Sequence, residues 1–148
     1  KGYYEDPEAT AAAFTERGYF RTGDLGSRDE DNYYYVSGRE KDMILTGGYN
    51  VYPSEVERAL YDHPEIHEAS VFGIPHARKG ETVAAAVSLV EGSEMTPEDV
   101  KEYVLSELAP YKHPRLVEVR EDLPKTGSGK IRKFKLHEEF VEKYGEVE

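Results

Sequence analysis

The chain has 148 residues, 38% hydrophobic and 33% charged, enough for one modest buried core and more consistent with one domain than with two. Nineteen Lys and Arg stand against thirty Asp and Glu, a net charge of -11, so the average field repels nucleic acid and anionic membranes and any anion must be met locally. The chain contains no Cys, which excludes a disulfide framework, a thiolate zinc site and a thiol nucleophile.

In chain order, Asp6-Pro7-Glu8 reads as a helix N-cap, a first-turn proline and a first-turn acid, and good helix formers from Ala9 to Arg17 predict a helix that Gly18 stops. Residues 19–25 and 33–36 are rich in aromatic and β-branched side chains and flank Asp29-Glu30-Asp31-Asn32, a hairpin pattern. Met43-Ile44-Leu45 predicts a short strand, Gly47-Gly48 a break, and Pro53 the start of an amphipathic helix with Val56, Ala59 and Leu60 on one face, ending near His63-Pro64. Residues 69–74 and 82–90 predict an antiparallel pair around the turn from Pro75 to Gly80. Thr96-Pro97-Glu98-Asp99 is a capping-box pattern opening a helix that buries Val100, Val104 and Leu108, with Pro110 after its end. One more strand, 116–119, precedes a glycine loop, and residues 131–144 predict a last amphipathic helix carrying Phe134, Leu136 and Phe140.

A Tyr- and Asp-rich first third gives way to an Ala/Val/Leu-richer remainder at Gly38-Arg39-Glu40-Lys41-Asp42. The expected organisation is therefore a segment 1–38 too poor in apolar residues to stand alone, a junction at 39–42, and a domain 43–148. Strands alternating with helices and antiparallel neighbours argue for an α+β fold, a small mostly antiparallel sheet flanked by helices and preceded by a β-hairpin segment. The absent initiator Met marks the chain as an expected piece of a longer one. No apolar run has the length of a membrane span and the start, from Lys1, has no signal pattern, so a cytoplasmic location is expected.

Between Lys125 and Lys135 lie five cations and no acid, a local reversal in an acidic chain. In Pro124-Lys125-Thr126-Gly127-Ser128-Gly129-Lys130 the glycines allow close backbone approach, and Lys130 can extend a compact charge to a phosphate or carboxylate. It is not a P-loop, because Pro124 and Ile131 occupy positions that need Gly and Ser or Thr. Alone, the segment fits a hairpin tip with solvated lysines equally well. Asp24, at a strand end beside Gly23, can accept two ribose hydroxyls or be an ordinary turn aspartate. Gly47-Gly48 can admit a narrow ligand or simply satisfy a turn. The five His show no metal-ligand spacing, so no metal site is expected.

Order and spacing add what single motifs lack. Tyr19-Phe20-Arg21-Thr22-Gly23-Asp24-Leu25, then Gly38-Arg39-Glu40-Lys41-Asp42, Gly47-Gly48-Tyr49-Asn50-Val51-Tyr52-Pro53-Ser54-Glu55, and finally the loop ending in Lys130 closely resemble the adenylate-forming superfamily of acyl-CoA synthetases, luciferases and adenylation domains. The resemblance covers essentially the whole chain. It implies the end of a large N-terminal domain, a hinge, and a small C-terminal lid domain that rotates between two steps: a carboxylic acid attacks the α-phosphate of Mg-ATP, and the thiol of coenzyme A then displaces AMP. It further implies that Asp24 holds the ribose hydroxyls with Arg39 near the same nucleotide and that Lys41 is the hinge. Thr46, Gly47 and Gly48 would line the pantetheine tunnel, and Lys130 would bridge the carboxylate and α-phosphate during adenylation. The segment from Gly47 to Glu55 looks like the acyl-CoA synthetase form rather than the carrier-protein form.

The resemblance places the ATP loop, the magnesium carboxylate and the acyl pocket upstream, so the expected partners are that missing N-terminal domain, ATP with Mg2+, coenzyme A and a small carboxylic acid, and the chain alone is expected to be inactive. An alternative of another class is a stand-alone, non-catalytic nucleotide- or CoA-binding or interaction module of the same fold. Oligomeric state is open; a homodimer through the first third is one reading.

Overall fold

The computed structural model describes residues 2–148; Lys1, at the head of the expected first segment, lies outside the described residues. The chain divides between Lys41 and Asp42 into two compact units.

In the first unit, helix α1 (Pro7–Ala12) begins as its sequence dictates, with Pro7 in the first turn and Asp6 accepting a 2.8 Å hydrogen bond from the Ala9 amide. It stops well short of the expected Arg17. The backbone of residues 13–15 is taken up instead by a local pairing: the Thr15 amide donates to Tyr19 O, the Arg21 amide to Ala13 O, and Phe14 bridges Phe20. That pairing also consumes Tyr19 to Arg21, so the first strand, β1 (Asp24–Arg28), begins later than residue 19 and runs past Leu25. β1 pairs antiparallel with β2 (Tyr34–Arg39) across the expected turn, where Asn32 takes a φ of 68° and Asp29 accepts from the Tyr33 amide and the Tyr35 hydroxyl. The β1 register shifts between Leu25 and Gly26, and a Cβ at Gly26 would stand 2.5 Å from Tyr35 O, so only glycine fits. No described residue of this unit is buried.

A 3-10 turn, Glu40–Asp42, spans the division. The second unit opens with a hairpin of β3 (Ile44–Thr46) and β4 (Tyr49–Val51), whose two-residue turn, Gly47-Gly48, has φ values of 57° and 86°. Positive φ at both positions suits the right-handed twist of the strands and is why two glycines sit there. Helix α2 (Pro53–Tyr61) follows, burying Val56, Ala59 and Leu60. The long strands β5 (Ile66–His76) and β6 (Gly80–Leu89) form an antiparallel pair. Helix α3 (Pro97–Glu107) starts on a complete Thr96/Asp99 capping box and crosses over to β7 (Leu116–Arg120), which runs parallel to β6, whereas β3–β4, β3–β6 and β5–β6 are antiparallel. Helix α4 (Lys133–Tyr144) closes the chain order.

The sheet order is β4-β3-β6-β5 with β7 also against β6. Because successive strand residues face opposite sides, β6 feeds two cores at once. Val83, Ala85 and Val87 join Val71, Val56, Leu60, Val100 and Val104 on the side of α2 and α3. Ala84 and Ala86 join Phe72, Ile74, Leu123, Leu136 and Phe140 on the side of α4. This explains why the run from residue 82 is apolar without alternation. Phe134, expected on the buried face of the last helix, is 74% exposed; lying two positions before Leu136, it is turned roughly 200° around the helix.

Candidate functional site

Asp24 and Arg39 are register partners at the open end of the β1–β2 ladder, and Arg39 Nε lies 3.3 Å from Asp24 Oδ1. The Asp24 amide donates to Thr22 Oγ1 and the Glu40 amide to Gly23 O, which shapes a small groove lined by Thr22, Gly23, Arg39, Glu40 and Lys41. Both charged side chains of the pair remain open to solvent, so the pair adds little to stability and leaves the carboxylate available as an acceptor. Lys41 lies in the 3-10 turn and has no ion pair among the described residues.

In the second unit, the Gly47 amide donates to Lys79 O at 3.0 Å, tying the Gly47-Gly48 turn to the β5–β6 connection. Thr46 is buried, and Thr46 and Gly47 form one wall of a cleft completed by Tyr49, Lys79, Tyr111 and Arg115. Tyr49 and Tyr111 stack with ring centroids 4.6 Å apart at 20°. The cleft therefore combines flat aromatic surface with two cations beside backbone stripped of side chains. Of the residues named from the sequence, Thr46 and Gly47 line this cleft and Gly48 does not, while Lys79, Tyr111 and Arg115 were not named. These come from separate segments and carry no spacing signal of their own.

The loop bearing Lys130 is a tight hairpin. The Arg132 amide donates to Pro124 O at 2.7 Å, the Thr126 amide to Lys130 O at 2.8 Å and the Gly129 amide to Thr126 O at 2.9 Å, while the Lys130 amide reaches Thr126 Oγ1 at 3.1 Å. Gly129 adopts a φ of 80°, which glycine tolerates without strain. Of the five cations in this stretch, three are engaged: Lys125 with Glu68 and Asp122, Lys133 with Glu57, and Lys135 with Glu139. The Lys125 ammonium is held above its ordinary value by Asp122 and then Glu68, and Asp122 below its own by Lys125 and the Leu123 amide. Lys130 has no ion pair among the described residues. It lines a groove with Glu57, Tyr61, Ser70, Gly129 and Lys133, distinct from the cleft at Gly47.

Among the described residues, no group of three His, Asp or Glu side chains is placed to hold a metal ion, and no helix is long and apolar enough to cross a membrane.

The AMP-binding enzyme C-terminal domain family matches residues 55–130. The long-chain-fatty-acid--CoA ligase of Bacillus subtilis (strain 168) is 46% identical over 144 residues, which is 97% of this chain and 26% of the relative's length. The oxalate--CoA ligase of Arabidopsis thaliana is 41% identical over 143 residues, again 97% of this chain and 28% of the relative. Among solved structures, ATP-bound MatB from Rhodopseudomonas palustris superposes with a TM-score of 0.89 at 40% identity, covering 97% of this chain and 29% of that one. The chain thus spans about a quarter of the length of the curated relatives it matches. With the loop, the glycine turn and the two-sided sheet in place, the chain belongs to the AMP-binding enzyme C-terminal domain family, the C-terminal part of an ANL-superfamily acyl-activating enzyme homologous to acyl-CoA synthetases.

Proposed function

We propose that the chain is the C-terminal portion of an ATP-dependent acyl-CoA synthetase. The parent enzyme activates a carboxylic acid as its acyl-adenylate, releasing pyrophosphate, and then transfers the acyl group to coenzyme A with release of AMP. Residues 1–38 close the N-terminal domain, residues 39–42 form the hinge and residues 43–148 form the lid. Mg-ATP and the acid are held mainly by the upstream portion, and the chain by itself does not turn over.

The observation that carries this reading is the isolation of the Lys130 charge on a loop whose flanking lysines are paired. A cation held on a hydrogen-bonded hairpin, with no carboxylate partner among the described residues, is suited to meet a carboxylate and an α-phosphate where negative charge develops. Asp24 with Arg39 serves the ribose side of the nucleotide. The wall of Thr46 and Gly47, with Gly48 next to it in the turn, admits the pantetheine arm, and Lys79 and Arg115 offer charge to the phosphates of coenzyme A, with Tyr111 available for stacking on its base. The Lys130 groove and the Gly47 cleft are separate features of one unit, so rotation about Lys41 would present them in turn, each completing a different half-reaction. Relatives named for acids as unlike as a long-chain fatty acid and oxalate match the same stretch with similar identity, which supports assigning acid selectivity to the upstream portion.

The decisive experiment is Lys130→Ala in the full-length enzyme. ATP–pyrophosphate exchange should fall by about 100- to 1000-fold, the cost of removing one transition-state donor, while thioester formation from supplied acyl-adenylate is retained. Equal loss in both half-reactions would refute the assignment, and no loss in either would favour the non-catalytic module.

A further inference from the structure

The Lys130 hairpin stands on two feet, one fastened by an ion pair to strand β5 and the other to helix α2. At the first foot, Lys125 Nζ lies 2.9 Å from Glu68 Oε2 on β5 and 2.9 Å from Asp122 Oδ1. At the second, Lys133 Nζ lies 2.9 Å from Glu57 Oε1 on α2, an oxygen that also accepts a 2.9 Å bond from the Val71 amide of β5. The pairs to Glu68 and Glu57 are half-buried, with Lys125 33% and Lys133 32% exposed, whereas Asp122 is 70% exposed. The Glu68 side chain is 19% exposed and Glu57 22%, and Glu68 Oε2 is closed off from solvent with the Lys125 ammonium as the charge facing it. A carboxylate enclosed in this way holds its cation far more tightly than an exposed one, because losing the partner leaves an uncompensated charge. Between the feet, the bridge of Lys125 to Ile131 and the bond from the Arg132 amide to Pro124 O keep the hairpin closed, so the position of Lys125 sets the position of the tip.

We infer that Lys125 is a positioning residue for adenylation: clamped between Glu68 and Asp122, it fixes the foot of the hairpin so that Lys130 is delivered to a defined point. This rests on the adenylation role proposed for Lys130. A merely stabilising pair would affect both half-reactions alike, whereas a positioning pair acts only when Lys130 is in use. Displacement of a catalytic group by about 1 Å is enough to lower a rate about 100-fold.

The test uses the full-length enzyme with Lys125→Met, Lys125→Arg and Glu68→Gln, beside Lys130→Ala. Lys125→Met should lower kcat for ATP–pyrophosphate exchange by about 10- to 100-fold, with KM for ATP changed less than about threefold and thioester formation from supplied acyl-adenylate unaffected. Lys125→Arg, which keeps the charge and offers a fork to two carboxylates, should recover exchange to within about threefold of wild type. Glu68→Gln should shift kcat in the same direction as Lys125→Met. Hydrogen exchange of the Thr126 and Lys130 amides should speed up by about tenfold in Lys125→Met and return in Lys125→Arg. Wild-type exchange kinetics in Lys125→Met while Lys130→Ala is slow would overturn the inference and leave the Lys130 reading standing. Equal loss in both half-reactions without rescue by Arg would also overturn it. Should Lys130→Ala itself be active, the functional reading falls. The positioning of the hairpin is then judged by amide protection alone, and unchanged protection in Lys125→Met overturns it.

Discussion

Asp24 and Arg39 face each other across the last rung of the β1–β2 ladder, with Asp24 Oδ1 3.3 Å from Arg39 Nε. The strand pairing brings together two residues fifteen positions apart and sets a carboxylate beside a guanidinium, with Arg39 lining the groove of Thr22, Gly23, Glu40 and Lys41. If Asp24 accepts the ribose hydroxyls, Asp24→Ala should raise KM for ATP by about 10- to 100-fold, the worth of hydrogen bonds to a charged acceptor. Steady-state kinetics with varied ATP would check this, and an unchanged KM would return Asp24 to the status of a strand-end residue.

Gly48 separates two effects that a single substitution would confuse. Its φ of 86° disfavours any side chain, but a Cβ there meets nothing within 4 Å in this chain. Gly48→Ala and Gly48→Leu should therefore pay a similar backbone cost of about 1–2 kcal/mol. Only Leu should obstruct a passing thiol arm, slowing thioester formation by about tenfold or more while sparing ATP–pyrophosphate exchange. Collapse of exchange in Gly48→Leu would count against the tunnel role.

Lys41 sits in a 3-10 turn at the division between the two units. Proline's fixed φ is compatible with such a turn, so Lys41→Pro should fold while removing rotational freedom. Rotation is needed to pass from one half-reaction to the other, so one of them should fall by about tenfold or more with the other retained. Separate assays of the two steps would show it; both rates at wild-type level would exclude a hinge at this residue.

Glu118 ties β7 to α4, accepting from Arg120 Nε at 2.9 Å and Nη2 at 2.7 Å, from Lys143 at 2.8 Å and from the Tyr144 hydroxyl at 2.9 Å. Burial pushes its pKa up, but Lys143, Arg120 and Tyr144 together pull harder, and the net position is below the ordinary 4.5. A folded pKa below the unfolded one means that the stabilisation is fully present above 4.5 and is lost as pH falls through the lower folded value. Glu118→Gln should cost on the order of 1–3 kcal/mol at neutral pH and flatten the acid side of the stability profile. Urea unfolding at pH 7 and across the acid range would measure both, and an unchanged acid slope would remove Glu118 as a contributor.

Much of the local structure could be read directly because its causes are local. The Thr96/Asp99 capping box, Pro53 opening α2 and the glycine doublet at the β3–β4 turn each depend on neighbours within a few residues. The early end of α1 could not be read this way, because the propensity of residues 13–17 for helix yields to the pairing of Phe14 with Phe20. Phe134 was misplaced for a related reason: an apolar residue at the edge of a periodic pattern is assigned to a face by packing, and here the packing partners of α4 meet Leu136 and Phe140.

By itself the sequence determined the chemistry on offer: the ordered glycines, acids and lysines that mark the family, and a loop whose positive charge stands out in an acidic chain. Only the tertiary structure decided which of those charges are spent. Lys125 and Lys133 are neutralised by Glu68 and Glu57, far away in sequence, and Lys130 is not. The physical reason is that an ion pair depends on separation in space, and the fold of β5 and α2 beneath the hairpin sets that separation.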